Sequence, residues 1–186
     1  MEIFIIYSAN NSLLSKAIKC YTKEKYNHVS IALDVELKDT YSFGRKKINN
    51  PLIGGFVKED FKDPFFLTSH CSLYSLEVTE EQYESIRKII SYFETNKELF
   101  QYNLLGLVAL SMEYCIEREN AYFCSEFVAM LLTESKIATF QKKNQFITPK
   151  DLLALDNLTK VYEGQMIDYL LNTVRYEENN AYASFA

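Results

Sequence analysis

The sequence predicts an α+β domain in which a small, mainly antiparallel sheet packs against a cysteine-bearing helix, with additional helices around it. Three observations predict this. Residues 28–45 read as a hairpin, residues 2–7 and 71–79 as strands rich in β-branched or aromatic side chains, and residues 80–93 and 123–135 repeat their apolar positions with a helical period. At 186 residues the chain suits one domain with a substantial core, expected over 1–176, with EENNAYASFA reading as a frayed tail over 177–186.

The elements follow in order. EIFIIY (2–7) is a buried strand by length and composition, and SLLSKAIKCYTK (12–23) is a helix with Leu14, Ile18 and Tyr21 on one stripe. In NHVSIALD (27–34), Val29, Ile31 and Leu33 face one way, and His28, Ser30 and Ala32 the other. TYSFGR (40–45) returns as the second strand of the hairpin. NNPLIGG (49–55) is turn-like, FVKEDF is a short strand or a loop, and CSLYSLEVT (71–79) is a strand. Thr79 with Glu80 and Glu81 opens a helix to about Phe93, and residues 104–115 form a buried helix. TPKDLLAL (148–155) places Pro at the first helical position after Thr148. LTKVYEG is a short strand, and a last amphipathic helix covers about 165–175.

Composition narrows the function. The net charge of −5 makes nucleic acid an unexpected partner. Residues 1–50 nonetheless carry +3, against −8 for the rest. This is either a set of solvated faces or a locally basic rim that attracts an anionic substrate. Cys20, Cys71, Cys115 and Cys124 match neither a disulfide framework nor a zinc motif, so no metal is expected. MEIFIIYSANNS lacks a basic leader region, and the apolar run at 104–110 is too short to span a bilayer. The expectation is a cytoplasmic protein with free thiols and no integral membrane segment.

The chemistry centres on YFCSEFVAMLL (122–132). Cys124 shares a helix face with Phe127, Val128, Leu131 and Leu132, as a buried core thiol would. It also stands in the first turn, where unpaired N–H groups and the helix dipole favour a thiolate. From this helix alone both readings stay open. A cysteine nucleophile needs a base, and the chain has only His28 and His70. His70 reads as a loop or edge residue beside Cys71. His28 begins a strand whose same-face neighbours, Ser30 and Ala32, are small enough to leave room for a close helix or a pocket.

A strand-initial histidine in NHVSIAL, a returning strand YSFGR and a later helix opening FCSEFV resemble the circularly permuted NlpC-type cysteine hydrolases, the YiiX-like branch of the papain-like superfamily. The order His, then Cys, is also that of the lecithin retinol acyltransferase group. The opening IFIIYSANNSLLSKAIK and the closing TPKDLLALDNLTKVYEG are similar to the first and last segments of that family. The resemblance implies a permuted papain-like fold, Cys124 as nucleophile and His28 as base. Its third position, which orients the imidazole, falls on the strand after the histidine, where strand parity favours Ser42. A serine there departs from the family's more polar or charged choices, because a hydroxyl cannot stabilise imidazolium as a carboxylate does. Backbone N–H groups at the helix head, with Ser125 and Glu126 beside them, are the expected oxyanion or cleft groups, and Tyr7 is expected to line the cleft.

No metal or organic cofactor is needed for this chemistry. Three functions follow. The first is hydrolysis of an amide bond in a cell-wall-type or γ-glutamyl-type peptide. The second is hydrolysis or transfer of a lipid acyl group on an amide or ester. The third is a binding domain that keeps the fold without catalysis.

Overall fold

The computed structural model describes residues 1–9, 25–47, 50–102 and 120–173. The helices expected at 12–23 and 104–115, Cys20, Cys115 and the tail at 177–186 lie outside the described residues. The protein is α+β, with a mainly antiparallel sheet and a few helices. Strands β1 (Glu2–Ala9), β2 (His28–Ala32), β3 (Thr40–Lys47), β4 (Asn50–Lys58), β5 (His70–Glu77) and β8 (Thr159–Gln165) form one six-stranded sheet in the order β4-β3-β2-β1-β5-β8. Every pairing in it is antiparallel. A second, two-stranded parallel ladder joins β6 (Gln101–Tyr102) to β7 (Ala121–Tyr122). The helices are α1 (Pro64–Leu67), α2 (Glu80–Thr95), α3 (Cys124–Glu134), α4 (Pro149–Leu153) and α5, described over 166–173.

β1 is apolar on both sides because both faces of the sheet are covered. Ile3, Ile5 and Tyr7 join Val29, Ile31, Tyr41, Phe43 and Phe56 in the core beneath α2 and α3. Phe4 and Ile6 join Ala32, Cys71 and Leu73 in a second core with Met166 and Tyr169 of α5. A strand covered on both faces reads as an unbroken apolar run rather than an alternation. Thr79 caps α2 in a reciprocal arrangement with Gln82, and Ile86, Ile90 and Phe93 turn inward. Thr148 caps α4 in the same way through Asp151, with Pro149 at its start.

One reading is corrected. NNPLIGG is not a turn, because its residues from Asn50 onward belong to β4. Pro51 lies on an edge strand, in the irregular stretch between the Arg45↔Gly54 and Lys47↔Asn50 pairs, where a proline is tolerated. Gly55 serves close approach rather than turning, since a Cβ there would lie 2.5 Å from the Phe100 carbonyl oxygen. This contact brings the β6–β7 ladder, which leads directly into α3, against the sheet.

Candidate active site

α3 begins at Cys124, with Phe123 as its extended N-cap residue. A phenylalanine side chain cannot cap, so the helix start is secured from within the first turn and from outside it. The Glu126 carboxylate accepts the Phe123 N–H at 3.1 Å. The Ser125 hydroxyl donates to the Ile147 carbonyl oxygen at 2.6 Å, tying the helix head to the segment before α4. Phe127, Val128, Leu131 and Leu132 then seat the helix on the sheet.

The sheet opens where the helix head arrives. β2 and β3 are in register only at Ile31↔Tyr41 and Ala32↔Thr40. Continued by two residues, that register would set Val29 opposite Phe43, a pair that does not form. The Val29 N–H instead donates to the sulfur of Cys124, as does the N–H of Ser125. Cys124 thus stands in the gap between the diverging strands and meets His28, the first residue of β2, through a side-chain hydrogen bond.

The other side of the imidazole is occupied by a residue the sequence reading did not place in the site. Glu59 follows β4 directly. Its N–H donates to the Thr40 carbonyl oxygen, which carries the β3–β4 pairing one step further. Alternation puts Glu59 on the same sheet face as Ser42 and His28. His28 Nε2 donates to Glu59 Oε1 at 2.6 Å. This leaves Nδ1 as the ring nitrogen for Cys124. Glu59 is buried, and a buried carboxylate needs its remaining lone pairs satisfied. Two serines do this, with Ser42 Oγ donating to Oε1 and Ser30 Oγ to Oε2, both at 2.6 Å.

Ser42 therefore does not hold the imidazole; it holds the carboxylate that does. The Ser125 and Glu126 side chains build the helix head, and the Ser125 backbone N–H reaches the sulfur. Tyr7 lies opposite Val29, on the sheet face that α3 covers, and is fully buried. His70 is the first residue of β5, opposite Ala9 of β1, not a loop residue. A glycine completes the enclosure, since a Cβ at Gly44 would come within 3.3 Å of Ser42 Oγ and 3.5 Å of His28 Cε1.

The electrostatics follow from these contacts. Burial works to raise the Cys124 thiol, but the His28 hydrogen bond and charge, with the two amides, outweigh it and lower the pKa below its ordinary value. Burial likewise works against a charged His28, and the Glu59 carboxylate and the Cys124 sulfur raise the imidazole well above its ordinary value. Burial also opposes ionisation of Glu59, yet His28, Ser30 and Ser42 bring its pKa below the usual carboxylate range. All three shifts favour one charge state: thiolate, imidazolium, carboxylate. Glu126 is pushed the other way by burial, which its bond to the Phe123 amide only partly offsets.

Among the described residues no cluster of His, Cys, Asp or Glu could hold a metal ion, and no helix is long and apolar enough to cross a membrane. No protein-family model matches the chain, and no curated protein matches it in sequence.

Proposed function

We propose that this protein is a cysteine hydrolase of the permuted, NlpC-type papain-like kind, cutting an amide bond of a small peptide of cell-wall or γ-glutamyl type. The observation that carries this reading is the line Cys124–His28–Glu59, in which a buried carboxylate supports the far side of an imidazole bonded to a thiol at a helix head. A histidine strand, a carboxylate at the end of a strand two places along the sheet and then a cysteine helix follow the permuted chain order.

The steps are those of a thioester mechanism. The Cys124 thiolate attacks the acyl carbon, a C–S bond forms, and the carbonyl oxygen becomes an oxyanion facing N–H groups at the head of α3. As this intermediate collapses the C–N bond breaks, and the His28 imidazolium gives its proton to the departing amine. Neutral His28 then takes a proton from water as the water oxygen attacks the thioester. Collapse breaks the C–S bond, frees the carboxylic acid and restores the thiolate–imidazolium pair. Glu59 stays ionised throughout and stabilises the imidazolium form.

The test is the pH-dependence of Cys124 alkylation by iodoacetamide. Fast labelling below pH 7, slowed in His28→Ala, is the expected result, and the same variant is expected to lose about 10²–10⁴-fold in hydrolysis. Labelling of Cys124 that rises only near the ordinary thiol pKa of ~8.5, and is indifferent to His28→Ala, would remove the catalytic reading.

A further inference from the structure

Most buried polar side-chain atoms in the described residues have partners, and the exceptions gather at one end of the sheet. Tyr7 Oη, Ser8 Oγ and His70 Nδ1 are buried without a hydrogen-bond partner. Tyr7 and Ser8 are consecutive in β1, and His70 stands opposite the next residue, Ala9. A buried unpaired polar group costs about 1–3 kcal/mol, so this concentration calls for a physical reason.

Two of these atoms share a sheet face. Alternation places Tyr7 and His70 on the side that α3 covers, and the Tyr26 ring lies between them, 6.1 Å from Tyr7 and 6.2 Å from His70. Tyr74 closes the other flank of Tyr7, edge-on at 5.6 Å. The rim of this group is charged. Lys25 lies over the Tyr26 ring and Lys160 over the Tyr74 ring, and both bond to Glu163, which leaves one net positive charge. The backbone ties the group to the reacting sulfur, since Tyr7 is paired with Val29, whose N–H donates to Cys124. Ser8 faces the other way, beside His28.

We propose that Tyr7 Oη and His70 Nδ1 form a subsite for an oxygen acceptor of the substrate, a carbonyl or carboxylate beside the bond that Cys124 attacks. The proposal rests on the catalytic reading above and deepens it by naming the acyl group: polar and peptide-like, not an alkyl chain. A phenol hydroxyl donates well to either oxygen. The positive rim favours the carboxylate. An alkyl chain would leave both buried polar atoms unpaired, which is how a polar site rejects an apolar analogue.

The experiment compares acylation of Cys124 by three p-nitrophenyl esters, those of N-acetylglycine, succinate and hexanoate. Each rate is divided by that ester's reaction with free cysteine, to cancel intrinsic reactivity. The wild-type protein is expected to prefer the two oxygen-bearing acyl groups over hexanoate, and Tyr7→Phe is expected to lower that preference about tenfold, the size of one hydrogen bond. Because the readout is a ratio within one preparation, partial loss of folded protein does not mimic it. His70→Ala is the second variant and is expected to lower the same ratio. Succinate above acetylglycine would identify a carboxylate, and the reverse order an amide carbonyl, both in support. A wild-type preference for hexanoate, a ratio unmoved in both variants, or no acylation by any ester overturns the subsite. Fast low-pH alkylation of Cys124 alongside any of these would leave the catalytic reading standing.

Discussion

Cys124 and Cys71 are both buried thiols on core-facing surfaces, and their acidities move in opposite directions. Cys71 sits within β5 among Phe4, Leu73 and Met166, and burial pushes its thiol up to about 12. Cys124 is buried too, at 6% exposure against 0% for Cys71, yet its pKa is lowered. Burial disfavours the thiolate in both. What differs is the company, since Cys124 has an imidazole backed by a carboxylate, a helix head and two N–H donors. Enclosure without partners keeps a core thiol protonated, and burial with charge-compensating partners favours a thiolate.

The sharpest way to break this comparison is to remove the charge behind the imidazole. Glu59→Gln keeps the shape and is expected to slow hydrolysis by about 10²-fold or more. Without that carboxylate the His28 pKa falls, so the high-pH limb of the rate profile moves to lower pH. The same shifts predict the wild-type stability profile. The Glu59 pKa is lowered in the fold, so its contribution is present above its unfolded value and is lost as pH falls through the folded one. The His28 pKa is raised, so its contribution is complete below its unfolded value and disappears as pH rises through the folded one. Urea melts across this range should therefore show Glu59→Gln flattening both edges.

A smaller effect is expected from Ser42→Ala. The substitution removes one of three hydrogen bonds to a buried carboxylate and is expected to cost about 1.5–3 kcal/mol of stability, read from urea melts. Activity should fall less than in Glu59→Gln, because His28 and Ser30 still hold the carboxylate. A Ser42→Ala loss as large as that of Glu59→Gln would mean the serine touches the chemistry directly. The smallest effect is expected at Cys71. Cys71→Ala should leave hydrolysis and the Cys124 alkylation profile unchanged, and its own thiol should label only on unfolding. Rapid labelling of Cys71 in the folded protein would erase the contrast between the two cysteines.

Much of the sheet was legible because its residues alternate or run apolar over short spans. The hairpin of β2 and β3, strand β5 and helices α2 and α3 stand where periodicity places them. β4 was not legible, since Pro51, Gly54 and Gly55 carry turn chemistry when read locally. The edge position of the strand admits Pro51, and the close approach of Phe100 explains Gly55. The parallel pairing of β6 with β7 had no local signal either, because two residues carry no period.

The candidate site divides the same way. Cys124 and His28 were visible as residue types at the start of a helix and of a strand, which are local properties. Glu59 was invisible because FVKED reads as an ordinary charged strand end. Its meaning depends on lying two strands away from His28, on the same face, where sequence distance says nothing about proximity. The sequence by itself determined which thiol heads a helix, which strands alternate and which positions are core. Only the tertiary structure decided that β2 and β3 part at Val29, that the helix head enters the gap, and that Ser42 serves a carboxylate rather than an imidazole. Periodicity is written along the chain, but charge compensation in a buried site is set by contacts between segments, and those exist only once the sheet has ordered its strands.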